Sequence, residues 1–275
     1  MCRVLGIKRS SYYQWTKAKN KTPQSKDAVI VAYIRKIERE NDNNYGVRRV
    51  HQELNYQKIK ICKSKVQRIM HQNGIKAEIK KKHKPQTTKA DPNAKYYPNL
   101  LEQDFKVKEK NKIWLSDITY IRTGTTWSYL AAIMDLGRRK IVGWAIGSRP
   151  TAELAHSALK MAIEKEKPQK GLIHHSDRGS QYTSNLYTNL LKEHKITGSM
   201  SRKGNPYDNA PMESFFGSLK TEHVHKKHFS SLAEAKLSIK KWLDYYYARR
   251  RHSALGGISP FEYELRSIHL LGVSA

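Results

Sequence analysis

Residues 112–148 read KIWLSDITYIRTGTTWSYLAAIMDLGRRKIVGWAIGS, and they decide the fold class. Three runs rich in β-branched and aromatic residues, 112–121, 126–135 and 139–148, are separated by the turn-like stretches TGT and LGR. Short connections of that kind predict three consecutive antiparallel strands. Downstream, residues 151–166 carry Leu154, Ala158 and Met161/Ala162 at helical spacing, and GLIHHSD reads as a short buried strand ending in Asp177. A helix near 183–194, a strand ITGSM and a helix from about 209 to 222 complete the series. Three strands, then helix, strand, helix, strand, helix, predict a mixed α/β sheet with helices on its faces. That order resembles the ribonuclease-H-like fold.

Upstream, the pattern is helical. Residues 25–41 place Val29, Ala32/Tyr33 and Ile37 near the helical period, and Tyr45–Gly46 ends that helix. Val47, Val50 and Leu54 define a second helix, with Arg48 and Arg49 outside. In SKVQRIMHQNG, Ser64 is the expected N-cap, Val66, Ile69 and Met70 form a face, and Gly74 is the stop. Lys63 and Lys65 join the outer face. Three short helices with outward cations predict a small, helix-turn-helix-like DNA-binding domain; an ordinary helical bundle is the alternative. The expected division is an N-terminal fragment at 1–24, the helical domain at 25–80 and a proline-bearing basic linker at 81–107. A catalytic core at 108–223 and a C-terminal helical extension at 224–275 follow.

The chain has 275 residues, with 52 Lys and Arg against 24 Asp and Glu, a formal charge of +28. Residues 1–95 alone hold 24 basic and 7 acidic side chains, a net of +17. The natural partner of such a surface is a polyanion, bound in a salt-dependent way. Two cysteines, Cys2 and Cys62, exclude a disulfide framework or a four-cysteine zinc site. No apolar run reaches the ~18 residues of a membrane span, and the N-terminus lacks a signal peptide's apolar core. A reducing, cytoplasmic setting is the expectation.

Within this basic chain, Asp117 falls in the first strand, Asp177 at the end of the fourth and Glu213 on the late helix. Each alone is an ordinary strand-end or first-turn acid. Brought together without cationic partners they would be costly unless a cation sat among them. Hard oxygen ligands suit Mg²⁺, and two such ions ~3.5–4 Å apart serve in-line displacement at a phosphodiester.

The stretches WLSDITY, HHSDRGSQY and GNPYDNAPMESFFGSLKTE, with thirty-five residues between Asp177 and Glu213, resemble the DDE transposases of bacterial insertion sequences. The likeness is to the OrfB-type proteins of the insertion-sequence-three family, whose core is like that of retroviral integrases. It extends to YGVRRVHQELNYQKIKICKSKVQRIMHQNGIKA and to the C-terminal YYYARRRHSALGGISPFEYE. The resemblance implies that Asp117, Asp177 and Glu213 are the catalytic, metal-binding triad, with Mg²⁺ (or Mn²⁺), two ions in all, as cofactor. It implies that Lys220 and Asn209 meet DNA on the helix face of Glu213 and Gly217, while Met212, Phe215, Phe216 and Leu219 dock that helix. Arg249, Arg250 and Arg251 are further DNA-contact candidates. Relatives carry Tyr-Asn before these arginines where this chain has Tyr247–Ala248.

The implied partners are double-stranded DNA (terminal inverted repeats and target), further copies of the chain on that DNA, and an upstream-frame OrfA-type protein joined by frameshifting. The setting is then bacterial, with the chain on the nucleoid when DNA-bound. Asp135, also at a strand end, is expected to be structural, as are His174 and His175. A zinc site at His223, His225 and His228 lacks partner ligands. A different nuclease on the same fold and a non-catalytic DNA-binding regulator are the two alternatives.

Overall fold

The computed structural model describes residues 6–19, 25–78 and 96–272. Most of the expected linker therefore lies outside the described residues. The chain divides into two compact units, Met1–Ile79 and Lys80–Ala275.

In the first unit, helix α1 spans Arg9–Lys19, α2 Ser25–Glu40, α3 Val47–Tyr56 and α4 Lys63–Gln72. The core here joins Ile34 and Ile37 of α2, Val50 and Leu54 of α3, and Val66, Ile69 and Met70 of α4 around Tyr45. The buried face of α2 is rotated from the expected one: Val29 is 57% exposed, because the run AVIVAYI offers apolar residues on several faces. Ser64 is not the cap of α4; the chain is extended at Cys62 and already helical at Lys63. Gly74 closes the segment at φ +66°, where glycine carries no Cβ penalty.

The second unit is built on a five-stranded sheet. Strands β1 (Ile113–Thr123), β2 (Thr126–Asp135) and β3 (Lys140–Gly147) form the antiparallel meander expected from their spacing. Helix α5 (Ala152–Glu166) crosses to β4 (Ile173–Ser176), which pairs parallel to β1. Helices α6 (Ser180–Thr183) and α7 (Asn185–Glu193), split at Ser184, return to β5 (Thr197–Met200), parallel to β4. The order is β3-β2-β1-β4-β5. Helices α8 (Ala210–Glu222), α9 (Leu232–Ala248) and α10 (Pro260–Gly272) follow.

Strand alternation divides the core in two. One face of the sheet, through Leu115, Ile121, Leu130 and Ala132, packs on Met212, Phe215 and Leu219 of α8 and Trp242 of α9. The other, through Trp114, Ala131 and Ile133, packs on Ala158 and Leu159 of α5 and Tyr187 of α7. On α5, Ala162 is buried but Met161 is 40% exposed, so only one of the two faces inward. Gly143 of β3 is required here, since a Cβ would stand 2.2 Å from the Ala158 carbonyl oxygen. Ser231 caps α9, its Oγ accepting from Glu234 N at 3.2 Å, while Glu234 Oε2 reaches back to accept from Ser230 N at 2.7 Å. Among the described residues, no helix is long and apolar enough to cross a membrane.

Candidate active site

Register brings the two aspartates together. β1 and β4 pair from Ile113–Ile173 to Leu115–His175, and the same register carried two residues further sets Asp117 beside Asp177. β4 ends at Ser176 while β1 runs on to Thr123, so the strands part there and leave a cleft beyond the carboxyl end of β4, beside the middle of β1. Crevices at that place are the usual ligand sites of open α/β sheets. The cleft has a volume of about 380 Å³ and is lined by Asp117, Thr119, Tyr120, Trp127, Asp177 and Tyr182, among others.

Asp117 Oδ1 accepts from Ile118 N at 2.7 Å, and Asp177 Oδ1 from Gly179 N at 2.9 Å. Burial, then the Asp177 carboxylate and the charge of Glu213, push the Asp117 carboxyl up to about 8, with Lys220 and the Ile118 amide opposing. Asp177 is also raised, by burial, against the Gly179 hydrogen bond. Two buried acids with like charge between them resist ionising together.

Helix α8 brings Glu213 up in its first turn, exposed, with Met212, Phe215 and Phe216 buried beneath. Among the described residues, no three His, Cys, Asp or Glu side chains close into a metal-ligand group. The structure thus unites the aspartates, while Glu213 acts on Asp117 through its charge. Lys220 sits two turns on, its Nζ 3.9 Å from the centroid of Tyr120.

Asn209 does not present its amide to solvent. It is buried at the α8 N-cap position, and its Nδ2 donates to Ser116 O at 3.1 Å, tying the helix start to the strand that carries Asp117. This corrects the expected Asn209–DNA contact. Asp208, in a role that sequence reasoning missed, fastens the same turn to Arg202, Asn99 and Gln103. Gly179 was likewise unread: a Cβ there would meet Asp177 Oδ1 at 2.9 Å. The signal available was a glycine two residues after an acid in SDRGS, the pattern of a turn that hydrogen-bonds the acid. Tyr182, buried, accepts from Ser116 Oγ at 3.1 Å, and burial raises its hydroxyl well above the usual phenol range.

The histidines support β4. His174 Nε2 meets Tyr187 Oη at 2.9 Å, and His175 lies between Ser199 Oγ and Ser201 Oγ at 2.9 and 3.1 Å. Burial lowers them to about 3 and about 4, so both are neutral near pH 7. His223 meets Ser238 Oγ at 2.9 Å. Asp135 is fully buried and paired with Arg138, a structural role.

The candidate DNA contacts divide by burial. Arg250 is buried against Glu222, with Nε and Nη2 donating at 2.8 and 2.7 Å, and Arg251 is buried against Glu262. The expectation that these two side chains reach DNA is therefore corrected; Arg249 alone of the three is exposed. In the first unit, Arg48 and Lys63 are exposed. Arg49 lies over the Tyr45 ring at 5.5 Å, and Lys65 pairs with Asp27 at 2.7 Å.

Family models match the chain in three places: an integrase core domain at residues 107–206, a second integrase core model at 194–260 and an HTH-like domain at 24–83. A 31 kDa protein of insertion element IS600 from Shigella sonnei is 40% identical over 261 residues, covering 94% of this chain and 96% of that protein. Transposase InsF of insertion sequence IS3A from Escherichia coli K12 is 38% identical over 275 residues, covering 98% and 94%. The chain belongs to the IS3 family of transposases. Such transposases act in DNA transposition and integration as polynucleotidyl transferases, on a ribonuclease-H-like integrase core. The integrase catalytic core domain of HTLV-2, solved with magnesium in a dimeric form, is a distant likeness at 18% identity, covering 55% of this chain and 94% of that one, with a TM-score of 0.44. That of BIV is similar at 19%, covering 58% and 97%, with a TM-score of 0.43.

Proposed function

We propose that this IS3-family chain hydrolyses one DNA strand at the ends of its insertion sequence to free a 3′ hydroxyl and uses that hydroxyl to attack another phosphodiester, with Mg²⁺, or Mn²⁺ as a substitute, as cofactor. The observation that carries the reading is the pairing of Asp117 and Asp177 at the parting of β1 and β4, beneath a helix that bears Glu213. The donors fit a divalent ion: they are hard oxygens, and burial together with the charges of Asp177 and Glu213 raises Asp117, a cost that a cation among them would relieve.

Asp117 and Asp177 would hold two ions and Glu213 would complete their shell. When bound, the ions supply an activated attacking oxygen and a charge partner for the leaving oxygen. In the first step, water oxygen bonds to phosphorus as the P–O3′ bond breaks, and O3′ takes up a proton. In the second, that 3′ hydroxyl gives up its proton and bonds to a target phosphorus as a P–O3′ bond of the target breaks. Asp117 must lose its own proton before it can serve, and Lys220 favours the ionised form. Lys220 and Arg249, with Arg48, Arg49, Lys63 and Lys65 of the helical domain, hold phosphate backbone. Residues 25–80 recognise inverted repeats, 81–107 connect, 108–223 carry chemistry and 224–275 brace it. The chain works as a multimer on DNA, with an upstream-frame OrfA-type partner, as a frameshift fusion, completing end recognition.

A branched DNA that mimics a strand-transfer product tests this with little demand on end recognition. With Mg²⁺ or Mn²⁺, wild type resolves the branch, and Glu213→Gln binds it with near wild-type affinity but does not resolve it. DNA binding by wild type without resolution and without divalent-ion binding would favour the regulator instead.

A further inference from the structure

Beside the two aspartates, the cleft has an aromatic wall whose place in the reaction the acids do not explain. Past Leu115, β1 has no partner on the β4 side, and its residues Tyr120 and Arg122 point to the same face as Trp127 and Tyr129 of β2. Trp127 sits directly opposite Arg122, and Tyr120 opposite Tyr129. The Tyr120 and Trp127 rings meet edge to face, with centroids 5.1 Å apart at 85°. Cations stand at both ends: the Arg122 guanidinium lies 5.8 Å from the Trp127 centroid, and Lys220 Nζ lies 3.9 Å from that of Tyr120. Trp127 nevertheless stays 46% exposed, at the rim of the same cleft as Asp117 and Asp177.

Trp127 and Tyr120 together make an exposed aromatic patch with cations at its edges, at the mouth of the cleft that holds both aspartates, and a patch so placed marks a ligand surface. The ligand must offer a flat π-face to the rings and negative charge to the cations, within reach of a site for phosphodiesters. An unpaired nucleobase still joined to its backbone has both properties. Base–aromatic stacking is tolerant of sequence, because every base has a π-face, and cations beside the rings hold the flanking phosphates.

We infer that Trp127, backed by Tyr120, is a stacking platform for a nucleobase unpaired next to the phosphodiester under attack. The inference rests on the proposed function, since it takes DNA to be the substrate of this cleft. A base held on the platform leaves its own strand bent away from the duplex, exposing the phosphodiester to the aspartates. It also offsets part of the cost of opening the base pair, a cost that is least where the pair is already mismatched.

The test uses full-length chain and branched DNA carrying 2-aminopurine on either side of the junction phosphate. It is read with Glu213→Gln protein so that no cleavage occurs. Binding should raise the fluorescence as the base leaves the stack of its neighbours, and then quench it on the indole. With Trp127→Ala in the same background, binding should leave the base bright, and affinity should fall about tenfold, the effect of losing one stacked base. Trp127→Phe should restore most of the quenching and affinity, which also separates stacking from misfolding. In the Glu213-intact chain, a mismatch at the junction should rescue Trp127→Ala turnover relative to a fully paired junction. DNA binding with identical fluorescence in wild type and Trp127→Ala, or no rescue by the mismatch, would overturn the platform and leave the functional reading standing. Failure of the wild-type chain to bind DNA at all would overturn both.

Discussion

Arg202 closes on Asp208 through its backbone N, its Nε and its Nη2, at 2.8, 3.0 and 2.7 Å. The same carboxylate accepts from Asn99 Nδ2 at 3.1 Å and Gln103 Nε2 at 2.8 Å. These bonds hold the Asp208 carboxyl well below the usual carboxylate range, the Arg202 side chain foremost. Asp208 is buried one residue before Asn209, whose amide ties α8 to Ser116. The turn that aims Glu213 is thus pinned on two sides.

Asp208→Asn should therefore lower both stability and branch resolution at neutral pH. The sign follows from the depressed carboxyl: its contribution is present above the unfolded value near 4 and is lost as pH falls through the folded one. Thermal melts should show the variant a few degrees less stable than wild type at pH 7, with the gap beginning to narrow by pH 3. A constant gap at both pH values would mean that the charge of Asp208 is not what matters.

The opposite sign applies to Asp117, whose carboxyl is raised to about 8 by burial and by its acidic neighbours. Without divalent ions, the ionised group disfavours the folded chain, so stability falls as pH rises from about 4 to about 8. Asp117→Asn should remove that fall and, in EDTA at pH 8, gain roughly 1 kcal/mol or more, about 2–4 °C in a unit of this size. The same variant should abolish branch resolution. In wild type, Mn²⁺ binding should weaken as pH drops from 8 to 6, with proton release on binding visible by calorimetry in two buffers.

Much of this was legible in the sequence, and the reasons are local. The meander from β1 to β3 is legible because its turns are short and its runs are rich in β-branched and aromatic residues. The three acids stand out as candidates because their flanking residues are distinctive, not because spacing places them together. What failed were questions of facing. In α2, apolar residues on several sides hid that Ile34, rather than Val29, points inward. In the tail, three consecutive arginines look alike as charge, yet Arg250 and Arg251 find the partners Glu222 and Glu262 from elsewhere in the chain. Asn209 was misassigned for the same reason, since its partner is a backbone carbonyl ninety-three residues away.

That difference among the arginines is measurable. Arg250→Ala leaves Glu222 buried without its guanidinium, and loss of one partner of a buried pair costs about 3–5 kcal/mol. Arg249→Ala, at an exposed position, should change stability by no more than ~0.5 kcal/mol while weakening DNA binding and reducing its salt slope by about one. Equal destabilisation by the two changes would contradict the burial pattern.

Gly179 and Gly217 offer a cleaner separation of fold from site. Gly179 has an ordinary backbone at φ −63°, ψ 144°, so alanine there meets no conformational strain. Its Cβ would instead stand 2.9 Å from Asp177 Oδ1 and 2.6 Å from Gln181 Oε1. Gln181 can swing away, whereas Asp177 is held by the Gly179 amide and must move with it. Gly179→Ala should leave stability within ~1 kcal/mol of wild type, since the shorter list of unfolded conformers offsets the crowding. Branch resolution should fall by tenfold or more, because a shift of about 1 Å in a positioned group can cost a hundredfold. Gly217, inside α8, has open space around its Cβ position, and Gly217→Ala should stabilise the helix by about 0.5–1 kcal/mol. If DNA backbone passes over this face beside Lys220, as the proposed function requires, that more stable variant should still bind the branch less well. Gly217→Ala with wild-type affinity and turnover would move the DNA path off this face of α8, while a Gly179→Ala chain with full activity would show that Asp177 need not be held where the turn now sets it.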